Sequence, residues 1–193
     1  MIDAGQSKFR FDIGRNDLYT VRERIAWSYA NLACAHAALS DGRIKHNRVD
    51  WMIRAKLFRG LREGTMRMGS LFDDERAQLI EMPVCAYCGV EGSLSIDHLI
   101  PRVSGGSHAQ HNLLRACRSC NSSKGKRDLL VWYASRGKFP PILLLRRYLK
   151  ILALYCEEND LLSLSADDAT SLDLPFDLRL LPGKFPPLAN LRL

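Results

Sequence analysis

Cys85-Ala86-Tyr87-Cys88 and Cys117-Arg118-Ser119-Cys120-Asn121, with Ser95-Ile96-Asp97-His98-Leu99-Ile100-Pro101 between them, decide how this chain is read. Two Cys-x-x-Cys pairs offer four thiolates at the short paired spacing that closes a tetrahedral zinc site, which braces a fold without reacting. Asp97, His98 and Asn121 are left over. A carboxylate and an amide oxygen suit a hard divalent cation, and an imidazole titrating near neutrality suits a general base. One short stretch therefore carries its own scaffold and a candidate catalytic centre. Thioredoxin-like redox use of either pair is the rival, and two pairs flanking a hairpin argue against it.

Local patterning supplies that hairpin. Leu94 to Ile100 alternates between Gly92 and Pro101 and predicts a strand, Ser104 to Ser107 a turn, and Leu113 to Ala116 a return strand. From about Asn121, Leu129, Leu130, Trp132 and Tyr133 predict a helix stopping near Gly137. Upstream, Leu18, Val21, Ile25, Leu32 and Leu39 stripe a helix over 17–39, with Asn16 or Asp17 as N-cap and Gly42 as stop. A second helix is expected over 48–62, with Trp51, Ala55, Phe58 and Leu61 on one face. Lys45, Arg48, Lys56 and Arg59 share another face, read as a solvated surface. The first fifteen or so residues read as an edge strand or arm, and 64–83 as a connection with a short helix near Asp73 to Leu79. A last helix is expected over 142–157, followed from Ser163 to Leu193 by an irregular Leu- and Pro-rich tail lying on the core or on a partner. The expected organisation is an N-terminal helical region (1–82), a metal-braced module (83–137) and a C-terminal helix with its tail (138–193), an α+β fold.

With 193 residues, 47% hydrophobic and 25% charged, the chain has the composition of an ordinary globular protein, which excludes global disorder. Its net charge of +7 points toward polyanions. The distribution says more than the total: from His98 to Arg127 there is no Asp or Glu. Arg115, Arg118, Lys124, Lys126 and Arg127 fall in that stretch and are the candidate phosphate contacts. No helix rich in Arg, Asn and Gln is placed to read base edges, so sequence specificity is not expected from this segment alone. Cys34 and Cys156 sit in apolar helical patterns and read as buried side chains. His36 and His46 read as structural, and His108 and His111 as exposed loop residues. The start, Met1 to Gln6, has no apolar leader segment, and no apolar run approaches the roughly 20 residues that span a bilayer. A reducing cytoplasmic location and no membrane association are therefore expected.

Taken together, Cys85-Ala-Tyr-Cys88, Ile96-Asp97-His98-Leu99-Ile100-Pro101, Gly105-Gly106, His111-Asn112-Leu113-Leu114 and Cys117-Arg-Ser-Cys120-Asn121-Ser-Ser-Lys124-Gly125 resemble an HNH endonuclease. This is the ββα-metal type, here with a four-cysteine zinc brace, and the likeness runs from about Pro83 to Trp132. The resemblance implies a nuclease hydrolysing DNA phosphodiesters to a 5′ phosphate and a 3′ hydroxyl. His98 would be the general base, Asp97 and Asn121 the ligands of a catalytic Mg²⁺ or Mn²⁺, and Asn112 the residue that orients the base. It further implies restriction or phage-defence work, sometimes beside an ATPase subunit, with a homodimer or partner needed to cut both strands. The alternative is a zinc-ribbon-like module that grips nucleic acid or protein without cutting.

Overall fold

Thr20 starts the first described helix, α1 (Val21–Ser40), by a reciprocal capping box: its hydroxyl accepts the Glu23 N–H and the Glu23 carboxylate accepts the Thr20 N–H. The start falls later than Asn16 or Asp17 because the chain ahead of Thr20 is engaged elsewhere. Thr20 bridges Ser165, and the Tyr19 carbonyl accepts the Ala166 N–H. The computed structural model describes residues 17–69 and 83–193. The arm or edge strand expected at the start, and the short helix expected near Asp73 to Leu79, lie outside the described residues.

A second capping box, Asn47 with Asp50, opens α2 (Arg48–Glu63), and Gly64 closes it in the left-handed region at φ 73°. Loss of such a cap costs about 1 kcal/mol. Asp50 is fully buried and accepts both terminal nitrogens of Arg43, at 2.5 and 2.9 Å. That guanidinium holds the Asp50 carboxyl below the usual carboxylate range. Of the expected α2 face, Phe58 and Leu61 are buried, whereas Trp51 and Ala55 are exposed. Phe58 meets Trp27 of α1 edge-on at 5.2 Å, and nearer the start of α2 Arg54 reaches Asn31 of α1 while Trp51 stays on the solvent side.

β1 (Leu94–His98) and β2 (Leu113–Cys117) form an antiparallel hairpin in register from Leu94 opposite Cys117 to His98 opposite Leu113. β1 ends two residues before the expected Ile100, because Leu99 and Ile100 turn their N–H groups to the Asn112 carbonyl and side chain. The helix expected from Asn121 to Gly137 is two helices, α3 (Arg118–Lys124) and α4 (Leu129–Ser135). Gly125, at φ 51°, ends the first, and the Asp128 carboxylate caps the second by accepting the Leu130 and Val131 N–H groups.

α5 (Ile142–Glu158) follows, then a short α6 (Ala166–Thr170) inside what reads from sequence as an irregular tail. That tail lies on the core: Leu178, Leu181, Leu188 and Leu191 are buried. Each such side chain contributes about 1.5–3 kcal/mol by burial. One continuous apolar cluster joins α1, β2, α4, α5 and the tail. The result is an α+β fold in which one small hairpin is set among helices. Among the described residues, no helix is long and apolar enough to cross a membrane.

Candidate active site

The four cysteine sulfurs, from Cys85, Cys88, Cys117 and Cys120, lie within 4.8 Å of one another. A tetrahedral zinc with sulfur ligands at about 2.3 Å needs sulfurs roughly 3.8 Å apart. The Cys88 and Cys117 sulfurs are already 3.9 Å apart, so the cluster fits a four-coordinate metal with little adjustment. The first pair sits in a tight turn in which the Gly89 N–H reaches the Cys85 carbonyl at 2.7 Å, with Gly89 at φ 77°. Burial pushes the Cys85 and Cys120 thiols up, and the Cys120 N–H holds the Cys117 thiol down. The second pair bridges β2 and α3, so one ion would pin strand, helix and turn together.

Asp97 sits on the face of β1 that α3 covers, and is 9% exposed. The Tyr87 hydroxyl donates to its Oδ2 at 2.7 Å, and the His98 N–H donates to its Oδ1 at 2.7 Å. Lys124 comes up from α3, its ammonium 3.6 Å from Asp97 Oδ2 and donating to the His98 carbonyl at 2.8 Å. Burial lowers the Lys124 pKa, with Asp97 opposing that shift. Expected from sequence as a phosphate contact, Lys124 is 1% exposed and lies beneath Asp97 as a counter-charge.

Asn121 approaches the same strand: its amide donates to Ser95 Oγ at 2.9 Å, and Ser95 donates on to the Ala116 carbonyl. Ser95 and Asp97 are two apart on β1 and share a face. A carboxylate and an amide oxygen are the donor types that suit a hard cation keeping several waters.

His98 ends β1 and turns its ring the other way. Its Nε2 lies 2.9 Å from His108 Nδ1, with the two rings 5.2 Å apart. Burial, and then the neighbouring His108, lower the His98 pKa, which favours the neutral imidazole a base requires. Asn112 is 1% exposed and joins both ends of the intervening loop. Its Oδ1 accepts the Ile100 N–H at 2.8 Å, and its Nδ2 donates to the Ile100 and Ser107 carbonyls at 2.9 and 2.7 Å. Gly106 is packed so closely that a Cβ there would lie 1.9 Å from the Ile100 carbonyl oxygen. From outside the hairpin, buried Arg147 on α5 donates to the Gln110 and His111 carbonyls at 2.6 and 2.5 Å.

The sequence model of a family described as HNH endonuclease matches residues 85–128. Residues 85–128 belong to the HNH endonuclease family. A curated relative, the CRISPR-associated endonuclease Cas9 of Corynebacterium diphtheriae, is 36% identical over 86 residues, covering 40% of this chain and 8% of that protein. The chain thus spans a small fraction of that relative's length. No solved structure matches the chain at a significant level.

Around the HNH segment, Arg115, Arg118 and Lys126 are exposed. Arg127 is exposed too, yet its guanidinium binds the Ser123 and Lys124 carbonyls and Ser135 Oγ, closing the end of α3. Three residues of the site escape a reading by motif: Tyr87, Lys124 in its buried role, and His108 as partner of His98. A signal for Lys124 exists. Cys117, Cys120, Asn121 and Lys124 stand at i, i+3, i+4 and i+7, which puts all four on one helix face. Tyr87 and His108 carry no comparable spacing signal.

Proposed function

We propose that this chain is a metal-dependent endonuclease that hydrolyses DNA phosphodiester bonds, with His98 as general base. The observation that carries the reading is the junction at the end of β1. There Asp97 lies over Lys124 of α3, Asn121 of the same helix reaches Ser95 two residues earlier on β1, and His98 is partnered by His108. In the tautomer with the proton on Nε2, His98 donates to His108 and keeps its Nδ1 lone pair for a water. His98 takes a proton from the water whose oxygen attacks phosphorus. The bond from phosphorus to the 3′ oxygen breaks and that oxygen takes a proton from solvent, leaving a 5′ phosphate and a 3′ hydroxyl. Asp97 and Asn121 would hold a hard divalent ion such as Mg²⁺ or Mn²⁺, which when bound would supply charge stabilisation for the leaving oxygen. Asn112 orients the loop behind His98, and Zn²⁺ is the metal we assign to the four thiolates, in keeping with an all-sulfur tetrahedral donor set. Arg115, Arg118, Lys126 and Arg127 hold backbone phosphates. One such centre cuts one strand, so cutting both calls for a homodimer or a partner such as an ATPase subunit, in a cytoplasmic restriction or phage-defence role.

Purified protein is expected to nick supercoiled plasmid when Mg²⁺ or Mn²⁺ is added. His98→Ala should reduce the rate by roughly 10²–10⁴-fold, with folding and thiolate-bound metal unchanged. One observation favours a second reading, a grip that does not cut: Asp97 is nearly buried and satisfied by Tyr87, Lys124 and the His98 N–H. DNA binding at wild-type strength with no nicking under either ion, alone or with co-purified partners, would select that reading instead.

A further inference from the structure

Charge is unevenly placed along this fold. From Glu157 to Asp177 there are seven carboxylates and no Lys or Arg, whereas from Leu178 to Leu193 there are three cations and no carboxylate. The cationic tail runs back past two clefts that meet at Pro186. The first, about 510 Å³, opens beside the cysteine cluster and is bordered by Arg136, Lys138 and Arg192, with the Arg136 guanidinium 4.9 Å from the centre of the Trp132 ring. The second, about 700 Å³, lies between α1, the start of α2 and the tail, and is bordered by Lys45, His46, Arg54 and Lys184. Among the described residues, neither cleft is lined by a carboxylate.

The second cleft contains a stack. The Arg54 guanidinium lies between two indoles, 5.0 Å from the centre of Trp27 and 4.5 Å from that of Trp51, and is steadied by a hydrogen bond to Asn31 Oδ1 at 3.2 Å. His46 flanks Trp51 at 4.6 Å between ring centres. Trp51 is nonetheless 43% exposed, on the solvent side of α2. A half-exposed indole, Trp51, beside cations, with no carboxylate among the described lining residues, matches the chemistry of unpaired nucleobases on a phosphate backbone. A protein partner's apolar helix would want the aromatics without the cations. A duplex would want the cations without an exposed indole.

We propose that the two clefts form a track for single-stranded DNA, leading from the cysteine turns of the HNH segment to a stacking station at Trp51 and Arg54. The proposal rests on the nuclease reading for its biological use, but binding can be measured where no cutting occurs. Anisotropy of a short fluorescein-labelled single strand, and of the same sequence as a duplex, is to be measured on the full chain with no divalent ion added. Trp51→Ala should weaken single-strand binding by roughly five- to a hundredfold and leave duplex binding within about twofold. The exposed pair Lys45→Glu with Lys184→Glu should flatten the salt dependence for the single strand, by about 0.7 in logarithmic slope for each phosphate no longer neutralised. This pair keeps the test decisive if Trp51→Ala fails to fold. Single-strand binding unchanged in both variants, or duplex binding weakened equally, overturns the track. The nuclease reading fails by a different result, absence of plasmid nicking, which leaves these binding measurements intact.

Discussion

A base is only as useful as its orientation, and at the residue scale the proposed base, His98, is partnered by a second histidine. The 2.9 Å contact from His98 Nε2 to His108 Nδ1 fixes the ring and, with the proton on Nε2, leaves Nδ1 for water. We expect His108→Ala to lower the nicking rate roughly tenfold, a fraction of what a general base contributes. His108→Asn, which can still accept from Nε2, should restore most of it. Equal loss in both variants, or no loss in either, would leave His108 without this role. Tyr87 makes a parallel case on the other side of the junction. It lies inside the first cysteine turn, and its hydroxyl links that turn to Asp97. Tyr87→Phe leaves a buried carboxylate oxygen short of a donor, at a cost of about 1–3 kcal/mol in stability. Thermal melts of the two proteins with the thiolates metal-loaded measure that difference, and equal melting temperatures would contradict it.

At the scale of elements, what could be read from sequence is what is local in sequence. The two cysteine turns, the Asp97-His98 pair at a strand end and Asn121 after the last cysteine each declare themselves within a few residues, and the hairpin joining them follows from alternation. Lys124 reads as surface because it stands in a run of cations, whereas its burial depends on α3 packing onto β1. The break between α3 and α4 falls in the polar run Asn121 to Asp128, where the stop is a backbone conformation at Gly125 and the restart a cap at Asp128, both passed over when the stretch is read as one helix. α2 shows how a motif and its setting combine. Asp50 is at once the capping carboxylate of the helix and the buried partner of Arg43. Arg43 depresses the folded-state pKa of Asp50 below its unfolded value of about 3.9, so this stabilisation is complete above that pH and is lost as pH falls through the depressed folded value. Asp50→Asn should therefore cost about 3 kcal/mol at neutral pH and much less in strong acid. Denaturant melts of both proteins at pH 7 and near pH 2 test this, and a pH-independent difference would exclude Arg43 as the cause.

Across the whole molecule, the HNH segment is held by residues far outside it. Arg147 on α5 fixes the Gln110 and His111 carbonyls, and Arg192 near the end of the chain donates to the Tyr87 and Cys88 carbonyls at 2.9 and 3.0 Å. Tyr148 donates to the Asp128 carboxylate at 2.5 Å, tying α5 to the cap of α4. Bonds of this kind join residues up to 105 positions apart, which is why no local pattern announces them. They also bear on whether residues 83–137 can stand alone. Leu129, Leu130, Trp132 and Tyr133 are buried in the shared cluster, and each would lose about 1.5–3 kcal/mol if uncovered. A metal in the thiolates would close the two cysteine turns and the base of the hairpin, but nothing in the segment replaces the rest of the shared cluster that buries these four side chains. We therefore expect 83–137 expressed alone to retain the thiolate-bound metal yet be cut rapidly by protease within α4, whereas the full chain resists. Equal resistance of the metal-loaded fragment and the full chain would mean that the hairpin, its metal and α4 suffice, and that Arg147, Tyr148 and Arg192 tune a module able to fold without them.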